Sequence, residues 1–415
     1  MYKYDDAIGF INNVEKKQIL VCNKKNGTWV KIPSMWKDNI DLFLESKVAL
    51  EEFLIRFQDE TDRETFDKLI KIFLEKNYIV GEESKNETRQ ITFAVTERCN
   101  LSCIHCCYDA KCCVENTDMS IEQAYEVIDK IVDARPKEIT LSGGEPLMRT
   151  DFLILLRYLR KKFEGQVNLS TNALLITDRN IDELINSINS FSISLDGYDE
   201  KSCAEIRGKG VFDKVIAIVK KLKSKGAKRI SLSMVLCGKN KEEKNIEAFR
   251  QLNKDLGTEC LVRALAPIGR GCNLSNAQKY MEELYKTEEF DSNEAKSYTR
   301  LCRCYTCAAV TKDLLINFDG AIYPCGLLID KDYTLGNIFD ESSIQEMYTK
   351  ISHNQGYKKF LEINPDIFEP CRECKVNLFC WHCLQELDLA KRHPEIIPLR
   401  CKMRKNNLMK VVWQE

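Results

Sequence analysis

Net charge is almost absent from this 415-residue sequence: 62 Lys and Arg stand against 63 Asp and Glu. Without an overall field nothing draws in a nucleic-acid backbone or an anionic membrane surface, so neither is expected as a partner. Also missing is any apolar run near the ~20 residues that a spanning helix needs. The opening MYKYDDAIGF is acidic where a secretory signal would be basic and then apolar. A cytoplasmic protein is expected. No low-complexity tract and no fixed-period repeat occurs, which excludes a solenoid.

Cysteine is what the sequence has in excess. Twenty are too many for an intracellular chain unless they ligate something, because reducing compartments do not sustain disulfide frameworks. Most of them fall into two groups, Cys99 to Cys106 and Cys302 to Cys401. Metal ligation is the leading reading. The remainder, Cys22, Cys107, Cys112, Cys113, Cys203, Cys237, Cys260 and Cys272, are mostly expected as small buried fillers.

The length exceeds a single ordinary core, so two or three domains are expected. Residues 1–80 read as a separate α+β unit. Two β-prone runs, 18–22 and 28–32, flank the turn signal NKKNG, and helical patterns follow at 36–45, 47–58 and 62–77. The charged, aperiodic stretch 81–90 reads as a linker. Six β-like runs then alternate with helical patterns: 90–97, 137–144, 166–172, 191–197, 229–236 and 259–267. This α/β alternation over 91–275 implies a parallel sheet, either doubly wound or a partial barrel, with its chemistry at the strands' C-terminal ends. A helical bridge is expected over 276–300, and 301–415 is cysteine-rich with few periodic segments, which favours a region held together by metal.

The spacing C-x3-C-x2-C at Cys99, Cys103 and Cys106 follows the first strand. A structural zinc site takes four ligands. Three thiolates can instead bind three corners of a [4Fe-4S] cube and leave one iron open to a chelating ligand. With His105 at its aromatic position this run resembles the signature of the radical S-adenosylmethionine (SAM) superfamily. The resemblance extends to LSGGEP (141–146), LSTN (169–172), SISLDG (192–197) and APIGRG (266–271). It implies a partial (β/α)6 TIM-like barrel in which the open iron binds the methionine moiety of SAM. It further implies that His105 lies near adenine, that Gly143 and Gly144 let backbone approach the cofactor, and that Glu145 accepts from the ammonium. By the same resemblance Ser170 and Asn172 face SAM, Arg207 pairs with its carboxylate, and backbone near Ile268 touches adenine.

Downstream, C-x12-G-x4-C from Cys307 to Cys325 precedes CRECKVNLFCWHC and Cys401. This looks like a SPASM domain, which implies two auxiliary [4Fe-4S] clusters. One would take Cys307, Cys325, Cys383 and either Cys302 or Cys304; the other would take Cys371, Cys374, Cys380 and Cys401. Only Trp381 and His382 separate Cys380 from Cys383, where the family places three residues. Zinc ribbons would also suit C-x2-C-x5-C-x2-C.

Residues 1–80 resemble the PqqD-like, winged-helix-like recognition element of maturases acting on ribosomally made peptides. That implies a leader peptide adding a strand near 28–32. A DNA-binding winged helix is disfavoured by the acidic residues of 62–77. Together these resemblances imply a SAM-cleaving oxidoreductase that installs a thioether in a precursor peptide, served by a reductase or a flavodoxin or ferredoxin. Carbon-carbon cross-linking, formylglycine formation and a non-enzymatic iron-sulfur adaptor are the alternatives.

Overall fold

The computed structural model describes residues 2–5, 7–81, 90–110, 118–266, 268–274, 303–310, 312–381 and 383–414. Most of the linker, the bridge 276–300, Cys112, Cys113, Cys302 and His382 lie outside the described residues. Two compact units result: 1–86 with 278–308 and 362–415, and 87–277 with 309–361. These units cut across the sequence expectation, because the cysteine-rich region 301–415 is shared between them.

In the first unit β1 (Tyr2–Tyr4), β2 (Ile8–Asn13), β3 (Gln18–Asn23) and β4 (Trp29–Pro33) precede α1 (Ser34–Ser46), α2 (Leu50–Leu54) and α3 (Glu60–Glu75). β5 (Ile79–Gly81) then pairs antiparallel with β1, while β2, β3 and β4 form a three-stranded antiparallel sheet. The expected hairpin is therefore present, and β2 joins it, although IGFINN carries too little alternation to announce a strand. An aromatic core holds the helices: Trp36, Phe43, Phe53, Phe66 and Phe73 are buried together with Tyr78.

The second unit contains six strands, β6 (Gln90–Ala94), β7 (Glu138–Ser142), β8 (Gln166–Thr171), β9 (Ser190–Ser194), β10 (Ile230–Leu236) and β11 (Glu259–Ala264). The intervening helices are α4 (Ile121–Asp133), α5 (Phe152–Lys162), α6 (Ile181–Ser187), α7 (Glu200–Arg207), α8 (Val211–Ser224) and α9 (Glu243–Leu256). All six strands run parallel and lie side by side in chain order. A doubly wound sheet reverses its strand order partway; this one does not, as in a partial barrel. Beyond β6 the sheet continues through β12 (Asp313–Ile316), β13 (Ala321–Tyr323) and β14 (Gly336–Asn337), followed by α10 (Ile344–Lys350) and α11 (Gln355–Leu361).

Alternation along these strands separates two chemistries. Ile91, Phe93, Ile139, Leu141, Val167, Leu169, Phe191 and Ile193 are buried. Their neighbours of opposite parity, Thr92, Thr140, Ser142, Asn168, Ser170, Ser192 and Ser194, are half-buried hydroxyls and amides in register on the other face. One face is thus a hydrocarbon core and the other a wettable wall.

The first unit is completed by α12 (Glu369–Arg372), α13 (Leu384–Arg392) and α14 (Ile396–Trp413). Trp29 meets Phe379 edge-on at 5.4 Å, Lys31 Nζ donates to the Val412 carbonyl at 2.9 Å, and Lys16 Nζ to that of Trp413 at 2.8 Å. Within the described residues no helix is long and apolar enough to cross a membrane.

Candidate functional site

The three-thiol loop leaves β6 and is braced from two sides. Gly144 N donates to the Thr96 carbonyl and Glu145 N to that of Arg98, both at 2.8 Å, so GGE prolongs the β6–β7 ladder up to Cys99. A Cβ on Gly143 would lie 2.3 Å from Thr96 O, and one on Gly144 would lie 2.2 Å from Arg98 O. Gly143 also has φ +129°, open only to glycine. Both glycines are therefore required by the chain's own packing, before any cofactor is considered. On the other side Arg270 N donates to the Cys106 carbonyl and its Nε to the Cys103 carbonyl, both at 2.9 Å. The turn holding Ile268 thus clamps the loop through Arg270, a residue whose role no sequence pattern announces.

Within the loop Cys99 and Cys103 are buried and Cys106 is half-buried. Burial pushes the Cys99 thiol up to about 11 and raises that of Cys103, where Arg207 opposes the shift. Thiolates here need a counter-charge, and bound iron supplies one.

Glu145 has no exposed surface. Its Oε1 accepts from the Thr171 hydroxyl at 2.7 Å and from Leu147 N at 3.3 Å, and its Oε2 accepts from Asn172 N at 2.7 Å. Burial raises its pKa against these bonds. A carboxylate has about four acceptor positions, so one remains for a donor. Thr171 thus positions the carboxylate, whereas Ser170 stands on the wettable sheet face. Asn172 Nδ2 donates to Asn100 Oδ1 at 2.7 Å and lies 3.9 Å from Cys99 Sγ.

Asp196 follows β9 at φ +61°, and a Cβ on the next residue, Gly197, would lie 2.3 Å from Cys203 N. His105 Nε2 lies 2.9 Å from Asp196 Oδ2, which also accepts from Arg207 Nε at 2.5 Å. Burial alone would raise the pKa of Asp196, yet Arg207 and His105 bring it down to about 2. Arg207 is the last residue of α7, a helix that the sequence patterns did not reveal. Its Nη1 reaches Cys103 Sγ at 3.6 Å. His105 Nδ1 is buried with no hydrogen-bond partner among the described residues.

The first unit assembles a second set of thiols. Burial raises the thiols of Cys371, Cys380 and Cys401; Cys374 adds to the rise at all three and Cys401 at the first two, while Arg404 opposes it at Cys380, so the four share one environment. Cys383 shows no such coupling to them. Trp381 Nε1 and Gln385 Nε2 are buried donors without partners among the described residues, suited to acceptors that a cluster's sulfides provide. Cys304 Sγ lies 3.5 Å from the Asn23 carbonyl and 3.9 Å from that of Thr28. Cys307 belongs to the first unit and Cys325 to the second. Of the remaining cysteines, Cys22, Cys203 and Cys237 are buried as expected; Cys107 and Cys260 are half-buried, and Cys272 is exposed. Among the described residues no three His, Cys, Asp or Glu side chains converge on a single metal ion. A cube instead spreads its thiolates over separate irons.

Comparison with known proteins supplies the family. Residues 93–250 match the radical SAM superfamily and residues 304–375 the SPASM iron-sulfur cluster-binding domain. The mycofactocin maturase MftC of Mycolicibacterium smegmatis is 25% identical over 301 residues, 68% of this chain and 74% of that protein. The antilisterial bacteriocin subtilosin biosynthesis protein AlbA of Bacillus subtilis is 28% identical over 340 residues, 78% and 72% respectively. In fold, Streptococcus suis SuiB bound to S-adenosylmethionine matches with a TM-score of 0.56 at 17% identity, over 94% of this chain and 96% of SuiB. Radical SAM and SPASM domains bind a [4Fe-4S] cluster with SAM and auxiliary clusters, and the thiols described above fit that set. Carrying a radical SAM domain and a SPASM domain in that order, the chain is a radical SAM enzyme.

Proposed function

We propose that this enzyme matures a ribosomally made precursor peptide, joining a cysteine sulfur to a neighbouring residue's carbon as a thioether. The observation that carries the reading is one convergence. Three thiols, a buried carboxylate with an acceptor position to spare, and a buried guanidinium meet at the C-terminal ends of parallel strands whose open face is lined by hydroxyls and amides. The names of the relatives agree: MftC is a maturase, AlbA acts in bacteriocin biosynthesis, and SuiB has been seen with its precursor peptide SuiA.

When bound, the cluster and SAM supply a primary carbon radical able to take hydrogen from an unactivated carbon. The residues of this chain do the rest. Cys99, Cys103 and Cys106 hold the cube and leave one iron for SAM. Glu145, fixed by Thr171 and the backbone of Asn172, takes the ammonium of SAM. Thr92, Thr140, Asn168, Ser170, Ser192 and Ser194 offer partners to the backbone of an extended peptide. Burial of Cys99, Cys103 and Glu145 limits the water that reaches the radical from their side. Cys371, Cys374, Cys380 and Cys401 hold one auxiliary cluster. Cys307, Cys325 and Cys383 serve the other, with Cys302 in preference to Cys304, whose sulfur lies against the carbonyl oxygens of Asn23 and Thr28. β4, at the edge of its sheet, receives the leader peptide. The enzyme works in the cytoplasm, with a reductase, flavodoxin or ferredoxin as electron donor.

The test combines the anaerobically reconstituted enzyme, SAM, a reductant and a cysteine-containing peptide encoded beside the gene. Release of 5'-deoxyadenosine and a product lighter by two hydrogens, with its cysteine no longer alkylatable, are expected. A product of that mass with an intact thiol would make the bond carbon-carbon. Cys99→Ala, Cys103→Ala and Cys106→Ala should each abolish SAM cleavage while the auxiliary iron stays.

A further inference from the structure

Beside the thiol trio Arg207 forms a buried ion pair with Asp196. The Arg207 side chain is 9% exposed and that of Asp196 not at all. Burying an ion pair costs desolvation that its own attraction does not reliably repay, so what the pair touches is the place to look for its use. Asp196 is also held in a backbone conformation unfavourable for a residue with a side chain. Its Oδ1 accepts from Val235 N at 2.5 Å, which fixes the carboxylate to β10. Its Oδ2 takes Arg207 Nε, and because the guanidinium is planar, fixing Nε sets the direction of the whole fork.

That direction leads to sulfur. Arg207 Nη1 lies 3.6 Å from Cys103 Sγ. Cys99 Sγ instead meets the neutral donors Leu101 N at 3.4 Å and Asn172 Nδ2 at 3.9 Å. The pair is thus a dipole with its positive end at one ligand of the trio and its negative end pinned to the sheet. Hydrogen bonds and positive charge at ligand sulfurs favour the more negative, reduced form of an iron-sulfur cluster.

We propose that Arg207, positioned by Asp196, tunes the SAM-binding cluster. Its charged donation to Cys103 Sγ raises the reduction potential of the cube, bringing it within reach of a one-electron donor. The inference rests on the trio being the cluster's ligands.

The test uses the full-length chain, anaerobically reconstituted, in a dithionite redox titration without SAM followed by electron paramagnetic resonance. The signal of interest is the one that SAM perturbs in the unsubstituted chain, which separates this cube from the auxiliary clusters. Arg207→Gln should shift its midpoint to a more negative potential. Arg207→Lys, which keeps the charge but not the fork, should fall between, with iron and sulfide content unchanged in both. An unmoved midpoint in Arg207→Gln overturns the inference. Loss of the cube from both variants also overturns it, because Arg207 would then be holding the loop together. Absence of any SAM-perturbed signal in the unsubstituted chain would remove the assignment of the trio as well.

Discussion

Glu145 shows how much a single buried side chain can decide. Three donors converge on its two oxygens, so Glu145→Gln must turn an amide N–H toward at least one of them. A buried mismatch of this kind costs about 1–3 kcal/mol. Urea unfolding of the metal-free chain should show that loss, and SAM binding should weaken with it. Asp196 behaves oppositely with pH. Its folded pKa of about 2 lies below the ordinary value of 3.8. The stability it contributes is therefore complete above about pH 4 and lost as pH falls toward 2. Acid unfolding of the metal-free Asp196→Asn variant should show a shallower loss across that window. The trio, Glu145 and Arg207 were legible because thiols at that spacing and charged residues beside glycine turns are rare enough to stand out. Thr171 and Arg270 were not, since hydroxyls at strand ends and arginines in loops are common and only their partners give them meaning.

At the scale of elements, glycine pairs at strand ends carry the site. Gly143→Ala or Gly144→Ala would drive a methyl into the backbone of residues 96–98, which cannot yield as a side-chain tip would. Each should lower the iron content by roughly four of about twelve, the share of one cube among three. Iron and sulfide analysis checks this, and full iron in either variant would show that the loop can shift. The six strands and five of the six helices between them were readable from periodicity, because one strand face is continuously apolar. The eight-residue α7, EKSCAEIR, was not, because Cys203 and Ile206 are its only buried positions and a stripe that short does not rise above chance. Missing α7 left Arg207 in a loop, whereas the helix delivers it to Cys103.

For the whole molecule, the N-terminal element is no appendage. Cys304 N donates to the Gly27 carbonyl at 3.2 Å and Cys307 N to that of Lys24 at 3.0 Å, so the NKKNG turn grips the segment bearing Cys307. A Cβ on Gly9 would come within 2.8 Å of Leu378, between Cys374 and Cys380. Deleting residues 1–86 should therefore cost auxiliary iron. Metal analysis of the truncated chain would reveal it, and a full complement of iron would show that the thiol quartet folds without this support. By itself the sequence determined the ligand chemistry, the strand-helix alternation and the family, because thiol spacing and hydrophobic period are local and survive in one dimension. The tertiary structure alone decided that the barrel's open face is polar, that residues 1–86 share a unit with the last cysteines, and that Asp196 aims Arg207 at Cys103. Those are contacts between residues far apart in the chain, and no local pattern records which of many possible partners a folded backbone will bring within hydrogen-bonding distance.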